Sequence, residues 1–146
     1  MTLTTEQKQL VRSTWALVAP IKEEAARLFY GRLFNIDPST RPLFSSTDMA
    51  EQGRKLMQII GVVVAGIERL DAMGPVVENL GRRHAGYGVR EEHYKSVGAA
   101  LLWTLGQGLG EEFTPEAERA WAVTYQMLAT IMQEAKAEER VVARLH

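Results

Sequence analysis

The chain contains no cysteine. That absence removes disulfides, thiol nucleophiles, zinc ribbons and cysteine-ligated iron–sulfur clusters together. An excess of one charge is also lacking: 17 lysines and arginines stand against 18 acids, a net charge of −1. A nucleic-acid footprint needs a basic excess, so no nucleic-acid partner is expected. Long apolar runs are missing too. The longest, Ile59 to Ile67, is interrupted by Gly61 and Gly66 and falls far short of the roughly 20 residues that span a bilayer. No membrane partner is expected either. The opening residues, up to Lys8, are polar and unlike a signal peptide, so the expectation is a cytoplasmic protein. No segment alternates with period two for long enough to form a strand. Internal repeats and low-complexity tracts are absent. A single domain over 1–146 fits the length and can bury a continuous core.

What is present is helical periodicity with punctuation. Thr4 with Gln7 three residues on is a capping-box pattern, and Val11, Trp15 and Val18 give the first stripe. Pro20 restarts the chain at a favoured first-turn position. A second stripe, Ile21, Ala25, Leu28, Phe29, Leu33 and Ile36, ends at Asp37-Pro38, and a short turn follows through Pro42 to Phe44. Asp48 closes a polar loop and caps a long third pattern, Leu56, Ile59, Ile60, Val63, Ile67 and Leu70. Gly74-Pro75 opens a fourth helix. A fifth begins near Arg90 and presents Tyr94, Val97, Leu101, Leu102, Leu105 and Leu109. Thr114-Pro115 caps a sixth, lined by Trp121, Tyr125, Leu128, Ile131, Met132 and Ala135, with a frayed tail expected after about residue 139. The fold class is all-α, six substantial helices plus one or two short helical turns.

The fourth helix carries the sharpest feature, Leu80-Gly-Arg-Arg-His84-Ala-Gly-Tyr-Gly88-Val89. Val77, Leu80 and His84 fall at i, i+3 and i+7, so the histidine shares a face with two apolar residues. Gly86 and Gly88 then end the helix. Such a histidine is either a metal ligand or a core imidazole bonded to a carbonyl. Two further polar residues sit where carbon would be preferred. Gln52 lies four residues before Leu56 and points with it and Ile59, and Tyr30 lies at the inner edge of the second helix. Buried, an amide and a phenol each need a partner. They bond a neighbouring carbonyl or water, or they aim together at a small polar ligand in an apolar cavity.

The segments Leu28-Phe-Tyr30, Pro42-Leu-Phe44, Gln52-Gly-Arg-Lys-Leu56-Met, Leu80-Gly-Arg-Arg-His84, Glu92-His-Tyr94 and Trp121-Ala-Val-Thr-Tyr125 occur in a family-like order and spacing. Together they resemble the globins, and more narrowly the single-domain bacterial globins related to flavohemoglobin globin domains. The likeness runs from about Thr4 to about Glu134. It implies a three-over-three helical fold holding one haem b (iron protoporphyrin IX). His84 would be the iron ligand, its other ring nitrogen donating to a backbone carbonyl just before it. Phe44 would wedge against the porphyrin, and Leu56 would pack over the iron. Tyr30 and Gln52 would be the distal, catalytic pair. Lys55 and Arg83 would meet the propionates. Leu80, Val89, Tyr94, Val97 and Leu101 would complete the cofactor pocket, with Ile60 extending the apolar lining.

The resemblance also marks a departure. Flavohemoglobins link the proximal histidine to a tyrosine and to a glutamate on the last helix. Tyr94 is present, but Lys136 stands fifteen residues after Trp121, and Glu134 and Glu138 lie two residues to either side, about 200° of helix away. His93 points about 100° from Tyr94 and is expected at the surface, and His146 is expected to be disordered. Met57 and Met127 are expected in or near the core, not on iron.

The function implied is binding of O₂, NO and CO at an open distal position. Donors from Tyr30 and Gln52, sharing one acceptor, would stabilise partial negative charge on O₂. That suits nitric oxide dioxygenation to nitrate, with electrons from a separate reductase, since the chain stops short of any flavin or nicotinamide domain. Plain O₂ binding for delivery, storage or scavenging is the second reading, and gas sensing a third.

Overall fold

The computed structural model describes residues 2–86 and 89–145; the side chains of Asp71, of 84–86 and of 136–145 lie outside that description. Six α-helices follow in order: α1 Thr5–Val18, α2 Lys22–Ile36, α3 Met49–Ala65, α4 Gly74–Gly86, α5 Glu91–Leu109 and α6 Pro115–Leu145. Among the described residues there is no strand. Four short 3₁₀ segments, at Ala19–Ile21, Pro38–Phe44, Ile67–Met73 and Gly110–Glu112, join them, more than the one or two turns that the sequence suggests. The helix α6 continues to Leu145, past the point where fraying is expected; its last turns are rich in alanine, glutamate and arginine, all strong helix formers.

The helix starts follow their caps. Thr4 Oγ1 accepts from the Gln7 amide at 3.1 Å while Gln7 Oε1 accepts from the Thr4 amide at 2.9 Å, satisfying two donors that α1 leaves open. Asp48 Oδ1 accepts from the amides of Ala50 and Glu51, and Thr114 Oγ1 from that of Ala117. The helix α3 does not run through Leu70 as its periodicity suggests. It stops at Ala65, and Arg69 leaves helical geometry at φ −132°, ψ 42°. Gly66 makes the break: Met73 packs against the bare glycine, where a Cβ would collide with its sulfur. Ile67 and Leu70 are buried all the same.

The main core joins α1, α3, α5 and α6 through Val11, Val18, Met57, Val63, Ile67, Leu105 and Trp121. Trp121 is anchored by its Nε1–H, which donates to Thr14 Oγ1 at 2.8 Å, so a buried indole donor is not left unpaired. Met57 is buried in this core and Met127 packs on its edge, as expected. Three close approaches set the helix crossings. A Cβ at Gly53 would stand 2.9 Å from that of Ala26, fixing α2 on α3; one at Gly81 would stand 2.6 Å from the Met132 backbone, fixing α4 on α6; and Gly98 admits the Tyr125 ring, fixing α5 on α6.

Candidate functional site

The α2/α3 crossing at Ala26 and Gly53 decides the geometry of one polar pair. Gln52 precedes that glycine and Tyr30 lies one helical turn past Ala26. Their side chains meet, with Gln52 Nε2 donating to Tyr30 Oη at 3.3 Å. The phenol is only 7 % exposed. Its own proton is not consumed by this bond and is left to donate elsewhere. Burial raises its pKa above the ordinary 10.0, against a smaller lowering by Gln52, so the donor stays protonated at neutral pH.

Aromatic rings enclose the pair. Tyr30 meets Phe29 edge-on at 4.9 Å and Phe44 at 5.4 Å between centroids, arrangements that the ring quadrupoles favour. Phe44, Leu56, Val97 and Leu101 pack on the cluster built by Phe29, Tyr30, Leu33 and Ala100. Four of the expected pocket residues are therefore gathered around Tyr30. Leu80, Val89 and Tyr94 belong to a second cluster with Val77, Ala129 and Met132. Lys55 and Arg83 are exposed. His84 lies in the last turn of α4, but its side chain, and with it the iron-ligand assignment, lies outside the described residues, as do Gly88, His146 and the side chains of Lys136 and Glu138.

Two observations bear on whether a flat apolar cofactor fits. Phe44, Leu56, Leu80, Val89, Val97 and Leu101 are all apolar yet only half-buried, and Ile59, aligned with Gln52 on α3, is 37 % exposed. A rigid apolar disc would cover such surfaces. Tyr94 is 6 % exposed, and its hydroxyl has no hydrogen-bond partner among the described residues. An unpaired buried hydroxyl costs about 1–3 kcal/mol, so this one invites a group that the described residues do not supply. Burial raises its pKa as well. Glu134 is exposed and does not reach it. The residues fit a haem.

Behind Phe29 and Leu101 lies an apolar cavity of about 10 Å³, lined also by Trp15, Met57, Leu105 and Trp121. Ile60 faces it as well. It holds at most one small molecule, and its lining disfavours water.

One residue is not where the sequence suggests. His93, expected at the surface, is 2 % exposed. Its Nδ1 accepts from the Arg90 amide at 2.9 Å and its Nε2 meets Ser39 Oγ at 3.2 Å. Helical angle separates it from Tyr94, but the 3₁₀ segment Pro38–Phe44 covers the side that it occupies. The signal available was its place three residues after Arg90, where a capping side chain reaches back to the first amide. Among the described residues no cluster of histidine, aspartate and glutamate has the makings of a metal site, and no helix is long and apolar enough to cross a membrane.

Comparison with known proteins gives the same picture. A family model described as Globin matches residues 27–132. Neuroglobin from Tetraodon nigroviridis is 28 % identical over 143 residues, covering 89 % of this chain and 90 % of that one. The flavohemoprotein of Bordetella parapertussis is 34 % identical over 133 residues, covering 89 % of this chain; the chain spans 33 % of that protein's length. Among solved structures, a bacterial globin from Campylobacter jejuni superposes with a TM-score of 0.82 at 27 % identity, over 94 % of this chain and 99 % of its own.

Proposed function

The chain belongs to the globin family and binds gases through haem, and from that premise we propose that it oxidises nitric oxide to nitrate with O₂ held beside Tyr30 and Gln52. The observation that carries the reading is the 3.3 Å Gln52–Tyr30 hydrogen bond inside an aromatic, half-covered pocket. When bound, the cofactor, haem b, supplies the iron that takes up the gas and the electron that the reaction consumes. His84 on α4 is the residue proposed to hold the iron, and Lys55 and Arg83 the cations proposed to meet the propionates.

The chain's own groups do the rest. Tyr30 presents its free O–H to partial negative charge on O₂, and Gln52 orients and polarises that phenol by donating to its oxygen. Because the surroundings are apolar, this donor acts in a low dielectric and is worth more than in water. Phe44, Leu56, Val97 and Leu101 keep water away, and the small apolar cavity behind Phe29 gives a second neutral diatomic a route inward. NO, O₂ and one electron then balance nitrate in atoms and charge. Each turnover needs that electron returned by a separate reductase, which places the activity in the cytoplasm, where reducing cofactors are available. Mixing the oxygenated protein with NO and quantifying nitrate tests the reading.

One observation favours plain, reversible O₂ binding as the second reading. Among the described residues the Tyr94 hydroxyl has no partner and Glu134 is exposed, so these two are not joined as they are in the electron-rich proximal network of the flavohemoglobin pattern. Full nitrate yield argues for the first reading, and a slow reaction with little nitrate for the second.

A further inference from the structure

The buried imidazole of His93 bridges two elements that no helix contact requires to be joined there. The Arg90 amide can only donate, so Nδ1 must be the acceptor, and the neutral ring carries its proton on Nε2. That Nε2–H donates to Ser39 Oγ at 3.2 Å. The serine hydroxyl in turn donates to Asp37 Oδ1, while Ser96 Oγ on α5 donates to Asp37 Oδ2 at 2.7 Å. Ser39, then Ser96, hold the Asp37 carboxyl below its ordinary 3.8, so it stays an acceptor at neutral pH. Every donor in the chain Arg90–His93–Ser39–Asp37 has an acceptor, in one direction only.

The network fastens the start of the segment Pro38–Phe44 to the first turns of α5. The far end of that segment carries Phe44, whose ring meets that of Tyr30 edge-on at 5.4 Å between centroids. The residues next to His93 and Ser96 on α5 are Tyr94 and Val97, two of the pocket walls. We propose that His93 is a positioning residue: through Ser39 and Asp37 it fixes Phe44 relative to α5, and thereby fixes the Tyr30 hydroxyl. This rests on the reading of Tyr30 as the gas-facing donor. A residue that only capped α5 would need Nδ1 alone, and the second bond at Nε2 would be idle.

The test separates the two bonds. Ser39→Ala removes the bridge and leaves the cap on α5 intact, while Ser39→Thr keeps a hydroxyl. His93→Gln keeps an N3 acceptor for the Arg90 amide but shortens the reach to Ser39. In the ligand-free protein, Ser39→Ala and His93→Gln are expected to speed amide hydrogen exchange over 38–44 by about tenfold, with α5 beyond its first turn unchanged. In the haem-loaded protein both are expected to speed O₂ release about three- to tenfold when Tyr30 is present and not at all in a Tyr30→Phe background. Ser39→Thr is expected to restore the slower values.

Unchanged exchange over 38–44 in both variants overturns the proposal. So does an effect on O₂ release of equal size with and without Tyr30, which is the mark of a merely structural loss. If Tyr30→Phe alone leaves O₂ release at the parent rate, the gas-facing role of Tyr30 falls, and with it the claim that His93 acts through Tyr30. The exchange data then still decide whether His93 holds the segment.

Discussion

Gly53 lies so close to Ala26 that a Cβ on the glycine would stand 2.9 Å from the alanine's own. Neither atom is the end of a flexible side chain, so relief can come only from moving α2 and α3 apart. Gly53→Val is therefore expected to destabilise the fold by about 1–3 kcal/mol and to lengthen the neighbouring Gln52–Tyr30 bond beyond hydrogen-bonding range. Denaturant midpoints measure the first effect. Faster O₂ release, with CO release much less changed, measures the second.

Under the proposed function, Gln52 and Tyr30 are expected to act in series, not in parallel. The sequence suggests two donors sharing one acceptor, but the amide donates to the phenol oxygen. Tyr30→Phe removes the terminal donor and is expected to speed O₂ release by about ten- to hundredfold, equivalent to roughly 1.5–3 kcal/mol. Gln52→Leu leaves the hydroxyl in place and is expected to have a smaller effect. The double variant is expected to release O₂ no faster than Tyr30→Phe alone. Additive effects would place Gln52 on the ligand independently.

How far the sequence foretold this site depends on the range of the interaction. Local signals are legible: Thr4 and Gln7 form both bonds of the capping box, and Asp37-Pro38 ends α2. The inward bearing of Tyr30 and Gln52 follows from helical phase, which needs only neighbours in the chain. The burial of His93 is not legible in the sequence, because it involves Ser39, fifty-four residues away, and phase on one helix says nothing about what covers it. The break after Ala65 was hidden for a similar reason. Ile67 and Leu70 keep the apolar period and are buried, yet the contact between Gly66 and Met73 interrupts the helix between α3 and them. Gly53 carried no visible signal, since a helical glycine reads as a weak point until its crossing partner is known.

Three phenols, Tyr125 half-buried and the other two buried, predict an alkaline limit. Tyr30, Tyr94 and Tyr125 all have pKa values raised above 10.0, in each case chiefly by burial. A group whose folded-state pKa is raised binds its proton more tightly in the native state. Its contribution is fully present below the unfolded value and is lost as pH rises through the folded one. Stability is therefore expected to hold up to about pH 10 and to decline above it. Denaturant midpoints at stepped pH check this, and Tyr30→Phe should lessen the decline.

The orphaned hydroxyl gives an independent check on the cofactor. In the haem-free protein Tyr94→Phe removes an unpaired buried group and keeps the ring, so stability is expected to be unchanged or raised by up to about 1 kcal/mol. If haem supplies surroundings that suit the hydroxyl, the same change should lose that advantage in the haem-loaded form. Thermal or denaturant melts of both forms, parent and variant, make the comparison.

Nitrate formation decides between the two functional readings, and its rate limit can be anticipated. Tyr30 holds a protonated donor in apolar surroundings, and the cavity beside Phe29 and Leu101 is lined almost wholly by carbon. NO is small and neutral, so its approach costs little desolvation and the chemical step should be fast. Return of the electron is different, because nothing described in this domain delivers one. Stopped-flow mixing with NO should therefore give one rapid turnover with nearly stoichiometric nitrate, and continued turnover only with added reductase or chemical reductant. His84→Ala should abolish the reaction by preventing stable haem uptake, visible as loss of the Soret band. Tyr30→Phe should keep the band but lower nitrate yield, since O₂ would escape before NO arrives. A slow first turnover in the parent, or one that returns O₂ instead of nitrate, would leave reversible O₂ binding as the activity of this pocket.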